Sequence, residues 1–167
     1  YNSLMLFLPA YHEVLGVDVA TTSAIFTTMS ISNFASRALL SILSRRVEYA
    51  VTAVAGYGLA LLGIALVVAN PDSRLSALYS AVAGVGGGLL IPSLQIIAIL
   101  GVRERSRGLA SGIYTAMFDA GNIVGPPLAI GIGGTYPDAL RASLELGSLG
   151  LAVATGLFIW RSKPGVR

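Results

Sequence analysis

Long apolar runs, broken by short polar or charged segments, organise this chain. Intervals 1–15, 20–43, 49–70, 75–100, 108–133 and 138–160 are almost free of charge, and about 20 apolar residues suffice for a helix to cross roughly 30 Å of hydrocarbon. The runs are continuous rather than alternating and longer than barrel strands, which argues against a β-barrel. The pattern predicts an all-α, polytopic membrane protein: six transmembrane helices with short connections, forming one bundle over residues 1–167. No internal domain boundary is expected, because the Pro, Gly and charge clusters are the connections themselves. The first run starts at Tyr1 without an initiator methionine or the basic flank of a signal peptide, so the chain is read as part of a longer one.

Helical periodicity then sorts the few polar residues within the runs. At about 100° per residue, Gly112, Thr115, Asp119, Asn122 and Pro126 fall on a stripe about 80° wide. Ser30, Asn33, Arg37, Ser41 and Ser44 form a stripe of similar width on the second helix. Between Arg107 and Asp138 the only charged side chain is Asp119, and Arg37 is the only arginine or lysine deep inside a run, Arg141 lying three residues from the start of the sixth. Counted at 1.5 Å per residue, Arg37 lies about 12 Å and Asp119 about 16 Å from the same membrane face. Charged groups at such depth cost at least about 2.5–3.5 kcal/mol and mark wet cavities or ion paths. Asp119 and Arg37 are therefore expected to act as a coupling or gating pair, Asp119 ionised beside Arg37 and protonated when the two separate. A purely structural ion pair, or an Arg37 reaching the headgroups, is the plainer alternative.

Composition agrees with a membrane setting: 54% hydrophobic, 11% charged, and a mean hydropathy of +0.77. The net charge of +3 would suggest nucleic acid if its placement were ignored. Arg45, Arg46, Arg103, Arg105, Arg107, Arg161, Lys163 and Arg167 all follow even-numbered helices, whereas the opposite loops hold Arg74 and Arg141. This is the positive-inside asymmetry, and it predicts a cytoplasmic C-terminus. The bilayer, not nucleic acid, is the expected partner. With no cysteine in the chain, disulfides and thiolate metal sites are excluded, and no cofactor or metal is called for.

The fourth helix carries GVGGGLLIP, Gly84 to Pro92. These glycines follow no strand and lack a Walker lysine, so they are not a phosphate loop. Gly84, Gly88 and Gln95 share a face with Ser80 and are expected to line a cavity. Pro92 releases the Gly88 carbonyl, and Pro126 and Pro127 those of Asn122 and Ile123, and broken backbone at membrane depth belongs where protein or a cavity covers it. Close packing through small residues is the competing reading, as open for Gly121 and Gly125 as a cavity. Glu145, about 10 Å deep on the sixth helix, is expected either to stay near the external interface or to pair with Arg141 one turn earlier, and His12 and Glu13 to cap the outer end of the first helix rather than to form a relay.

These residues resemble the C-terminal half, helices seven to twelve, of a major facilitator superfamily transporter. Gly112, Gly121, Gly125 and Pro126 have the spacing of that family's antiporter motif, although Ala129 and Ile130 stand where a glycine pair would follow. RERSRGLASG, Arg103 to Gly112, is similar to the basic loop that precedes such a helix. RALLSILSRR, Arg37 to Arg46, looks like a degraded cytoplasmic loop motif, with Ser41 in place of glycine and Arg45 in place of aspartate. The resemblance implies secondary active transport of a small solute by alternating access between two six-helix halves, each built of inverted three-helix repeats. It also implies a partnering N-terminal half, a prokaryotic plasma membrane, and protons as the candidate coupling ion for efflux. The first and fourth helices would line the cavity, the second and fifth would flank it at the other half, and the third and sixth would face lipid. The fold alone fixes no substrate. The alternatives are a channel-type bundle and an intramembrane hydrolase built on Ser111, His12 and Asp119. The hydrolase would need Ser111 and His12 in contact, whereas the topology sets them at opposite membrane faces.

Overall fold

In a computed structural model, residues 2–43, 47–71 and 75–162 are described. They form six α-helices: α1 (Asn2–Val14), α2 (Val19–Leu43), α3 (Tyr49–Ala69), α4 (Ser76–Leu100), α5 (Arg107–Gly133) and α6 (Tyr136–Ser162), with a single 3-10 turn, Glu104–Ser106, between α4 and α5. Among the described residues there is no strand. The helix ends lie within two residues of those expected from the apolar runs. Arg45, Arg46, Arg74, Lys163 and Arg167, on which much of the charge asymmetry rests, lie outside the described residues, as does Ser44 of the α2 stripe.

Local chemistry explains where the helices stop. Gly16, with φ +71°, closes α1: its N–H donates to the Glu13 carbonyl and that of Val17 to the His12 carbonyl. This double return is the Schellman cap, which needs a residue free to take the left-handed conformation. Gly134, φ +72°, ends α5 by donating to Ile130. Thr135 then opens α6, its hydroxyl bonding the Asp138 carboxylate at 2.6 Å while accepting from the Asp138 N–H at 3.4 Å. The threonine hydroxyl thus caps the first turn of α6 and orients the Asp138 carboxylate beside it.

Packing follows a two-part plan. α4 lies against α3, α2 and α5, while α1 lies against α6, α5 and α2, and α3 also meets α6. Exchanging α1–α3 with α4–α6 turns one set of partners into the other, the relation that an internal three-helix repeat generates. The match is incomplete, since α5 packs on α6 but α2 makes no substantial contact with α3.

Bulk and polarity are distributed as a bilayer requires. Large apolar side chains point outward, Phe34 at 79% exposure and Ile123 at 74% among them, while Ser36, Thr52, Ser80 and Ser93 are buried. Most interior hydroxyls bond to their own helix: Ser36 to the Asn33 carbonyl, Thr52 to Glu48 and Ser80 to Ala77. That back-bonding satisfies the hydroxyl where water is absent. A cluster of Phe7, Met29, Ile64, Ala83, Ala129 and Ala139 draws one residue from each helix, near the end of the bundle that holds the α1–α2, α3–α4 and α5–α6 turns.

Of the six helices, α3 and α4 are long and apolar enough to cross a membrane on length and composition alone. α1 spans 13 residues. α2, α5 and α6 have the length but carry Arg37, Asp119, and Arg141 with Glu145, whose polar stripes dilute their apolar character.

Candidate functional site

The two polar stripes lie on the outside of the bundle. On α2, Ser30, Arg37 and Ser41 are exposed and Asn33 half-buried; on α5, Gly112, Thr115, Asp119 and Gly121 are exposed, and Asn122, Gly125 and Pro126 half-buried. Met29, Ser30, Asn33, Phe34 and Arg37 line an open depression of about 300 Å³, so three residues of the expected α2 stripe share one concave surface. Its chemistry is one guanidinium, one amide and one hydroxyl beside an aromatic ring, suited to an anionic or hydrogen-bonding group with an apolar body.

Two expectations about this region need correction. Arg37 and Asp119 do not pair: the ion pairs among the described residues are Arg107–Glu104 and Arg141–Asp138. α2 and α5 make no substantial contact with each other, whereas both pack on α4. Equal depth in the membrane is one coordinate, and the intervening α4 separates the two charges laterally.

The second correction concerns the glycines of α4. Gly84 and Gly88 do not line a cavity; they form the seam between α4 and α2. A Cβ on Gly84 would meet the Met29 backbone, and one on Gly88 the Asn33 carbonyl and the Ser36 hydroxyl. Gly86, on the opposite face, sits against the backbone of Gly56 and Ala60 on α3. α4 is clasped between α2 and α3 at backbone distance, the arrangement that small residues permit in a bilayer where apolar side chains gain nothing by avoiding lipid. By contrast, a Cβ on Gly112 or Gly121 would meet nothing within 4 Å, so these two glycines of α5 close no contact among the described residues.

Nor do the prolines break their helices. α4 continues through Pro92 and α5 through Pro126 and Pro127. Each proline removes one backbone donor, and the surrounding ladder holds. Next to Pro92, the Tyr114 hydroxyl donates to the Ile91 carbonyl at 3.0 Å, and Gln95 Nε2 reaches the Ser111 hydroxyl at 3.4 Å. These two bonds tie α5 to α4. The sequence carries no signal for Tyr114, because helical periodicity does not say which neighbour its side of α5 meets.

His12 is not an exposed cap but is 99% buried, with 1% accessible. Its Nδ1 lies 3.0 Å from the Thr22 hydroxyl, because the Gly16 turn folds α2 back beside α1. Ser111 meets Gln95, so the structure does not bring Ser111 and His12 together as a hydrolase would need. Glu145 is exposed, and its expected partner Arg141 turns instead to Asp138, at 3.8 Å. Asp138 is pinned by Thr135 at the watery end of α6, where a long guanidinium side chain keeps its charge hydrated.

Among the described residues, an all-helical bundle whose exterior is apolar outside the two polar stripes, with α3 and α4 long and apolar enough to cross a membrane, fits a polytopic membrane protein. A family model described as Major Facilitator Superfamily matches residues 1–167, and the chain belongs to that family of membrane transporters. No curated protein and no solved structure matches it.

Proposed function

We propose that this six-helix bundle is one half of a secondary transporter that moves a small solute by alternating access, with the exposed stripes of α2 and α5 facing the solute path and an N-terminal six-helix half. The observation that carries the reading is the outward placement of Ser30, Asn33, Arg37, Thr115 and Asp119 on helices of a membrane protein. Polar and charged groups within the hydrocarbon are costly, so such faces meet water or protein rather than lipid. Asp119 couples or gates on its own helix, without Arg37 as a fixed partner. Proton-driven efflux is the version we propose, with the Asp119 carboxylate rather than the Arg37 guanidinium as the coupling group, because a guanidinium stays charged in proteins. The membrane is a prokaryotic plasma membrane, with the C-terminus in the cytoplasm according to the distribution of basic residues.

The test needs no knowledge of the substrate. Single cysteines at Ser30, Thr115 and Asp119 in the complete protein, reconstituted in liposomes, should react with a water-soluble maleimide at least about tenfold faster than one at Met117, on the opposite side of α5. Equal, slow labelling at all four positions would mean that the stripes face lipid, and the transport-path reading would be wrong.

A further inference from the structure

The depression on α2 holds a charge that its surroundings do not balance. Met29, Asn33 and Arg37 follow one another along it at four-residue spacing, with Ser30 and Phe34 in the row beside them, so the surface extends about 12 Å along the helix from Arg37 to Met29. Arg37 is the one charged residue of α2, and it belongs to neither ion pair among the described residues. α4, on which α2 chiefly packs, carries no charged residue from Ser76 to Leu100. A guanidinium stays charged in proteins, and at membrane depth such a charge is costly unless water or an anion meets it. The backbone beneath is firmly held. Gly84 brings α4 against the Met29 main chain and Gly88 against the Asn33 carbonyl, which also accepts from the Ser36 hydroxyl at 2.9 Å. Both rows are thus set before a ligand arrives, which lowers the ordering cost of binding.

We infer that this depression binds an organic monocarboxylate with an aromatic or alkyl body, as the solute of the transport path proposed above, a reading on which this inference rests. Arg37 takes the carboxylate, its planar fork matching the two oxygens. About 6 Å further along the axis, the Asn33 amide offers both donor and acceptor to a polar group on the body, and the Ser30 hydroxyl does the same beyond it. The body lies along Phe34, which is 79% exposed, and ends near Met29, whose thioether chain adapts to varied apolar shapes. One cation calls for one negative charge. A phosphate monoester or a dicarboxylate would set a second charge beside Phe34 and Met29, where no other basic side chain lines the depression, and an unpaired charge so placed is strongly unfavourable. An acidic side chain of the N-terminal half could meet Arg37 alone. It would leave unused an amide, a hydroxyl and an exposed ring around about 300 Å³ of open volume, the lower end of the range for small-molecule sites.

The test follows labelling of Ser30→Cys by a water-soluble maleimide, in a cysteine-free background of the complete protein in liposomes. Benzoate, 3-phenylpropionate and hexanoate at millimolar concentration are the probes, and at least one should slow labelling about tenfold or more, whereas neutral 3-phenylpropanol and inorganic phosphate should not. Arg37→Gln should abolish the protection, and Arg37→Lys should keep part of it, because the charge survives but the fork is lost. Phe34→Ala should raise the 3-phenylpropionate concentration needed for half-protection about threefold or more. Arg141→Gln, which removes a cation from α6, should change nothing. Fast labelling that none of the three carboxylates slows, equal protection by 3-phenylpropanol or phosphate, or protection that survives Arg37→Gln would overturn the carboxylate site and leave the solute path standing. Slow labelling of Ser30→Cys with no probe present would remove both.

Discussion

Replacing Gly63 by alanine tests the clasp between α3 and α4 most directly. A Cβ at Gly63 would lie 2.7 Å from the Ala83 Cα and 2.7 Å from the Tyr79 carbonyl oxygen, about 1 Å inside ordinary contact. Both atoms are backbone of α4, so no side chain can rotate aside. The helices must part, and the parting also loosens Gly86 against Ala60. Overpacking of this kind costs about 1–3 kcal/mol, and the upper part of that range applies where main chain is struck. Alanine returns up to about 1 kcal/mol through its better helix propensity, so the net loss should be roughly 2 kcal/mol. Gly58→Ala removes the propensity term from the comparison. It lies on the same helix and would meet only Leu151 Cδ2 at 3.9 Å, an ordinary contact. Unfolding of the complete protein in mixed detergent and lipid should therefore place Gly63→Ala about 2–3 kcal/mol below Gly58→Ala. A difference under about 0.5 kcal/mol, the usual scatter for surface changes, would mean that the α3–α4 seam is not packed as described.

That pair of glycines also shows what a sequence does and does not disclose. Helix ends were legible because charge and glycine punctuate them: Gly16 and Gly134 need positive φ, and Glu48 and Arg107 begin or flank apolar runs. Periodicity placed Ser80, Gly84 and Gly88 on one face correctly, but a face has no label for its neighbour. Small residues suit a cavity wall and a tight seam equally, and only the position of Met29, Asn33 and Ser36 decides for the seam. The α3 side of the clasp, with Gly56, Ala60 and Gly63 at spacings of four and three, could have been found by the small-residue pattern. Arg37 and Asp119 illustrate the same limit for charge. Rise along a helix gives depth, whereas position around the bundle comes from which helices pack, and α4 between α2 and α5 is a tertiary fact. His12 moved from surface to interior for a similar reason, since one left-handed glycine decides where α2 goes.

Two further outcomes follow from these placements. Thr22→Val should cost about 0.6–1.7 kcal/mol by deleting the hydrogen bond between Thr22 and buried His12, read in the same unfolding assay, and a neutral result would mean that the 3.0 Å contact does not tether α1 to α2. The last concerns Arg37 and Asp119 together. Sites in contact, or sharing an ion pair, couple by 0.5–3 kcal/mol in double-mutant cycles, while sites without shared partners add within about 0.3–0.5 kcal/mol. Their helices make no substantial contact, and neither charge is in the other's ion pair, so Arg37→Gln and Asp119→Asn should be additive in stability. Both charges are exposed in this chain, so either substitution alone leaves no buried counter-charge behind, and each should change stability by less than about 0.5 kcal/mol. Transport should respond differently, because Asp119→Asn removes the only carboxylate on the α5 stripe and Arg37→Gln the only cation on the α2 depression. If the cycle instead gave a coupling above about 1 kcal/mol, the two charges would have to meet in the folded protein, and the separation of α2 from α5 by α4 would be refuted.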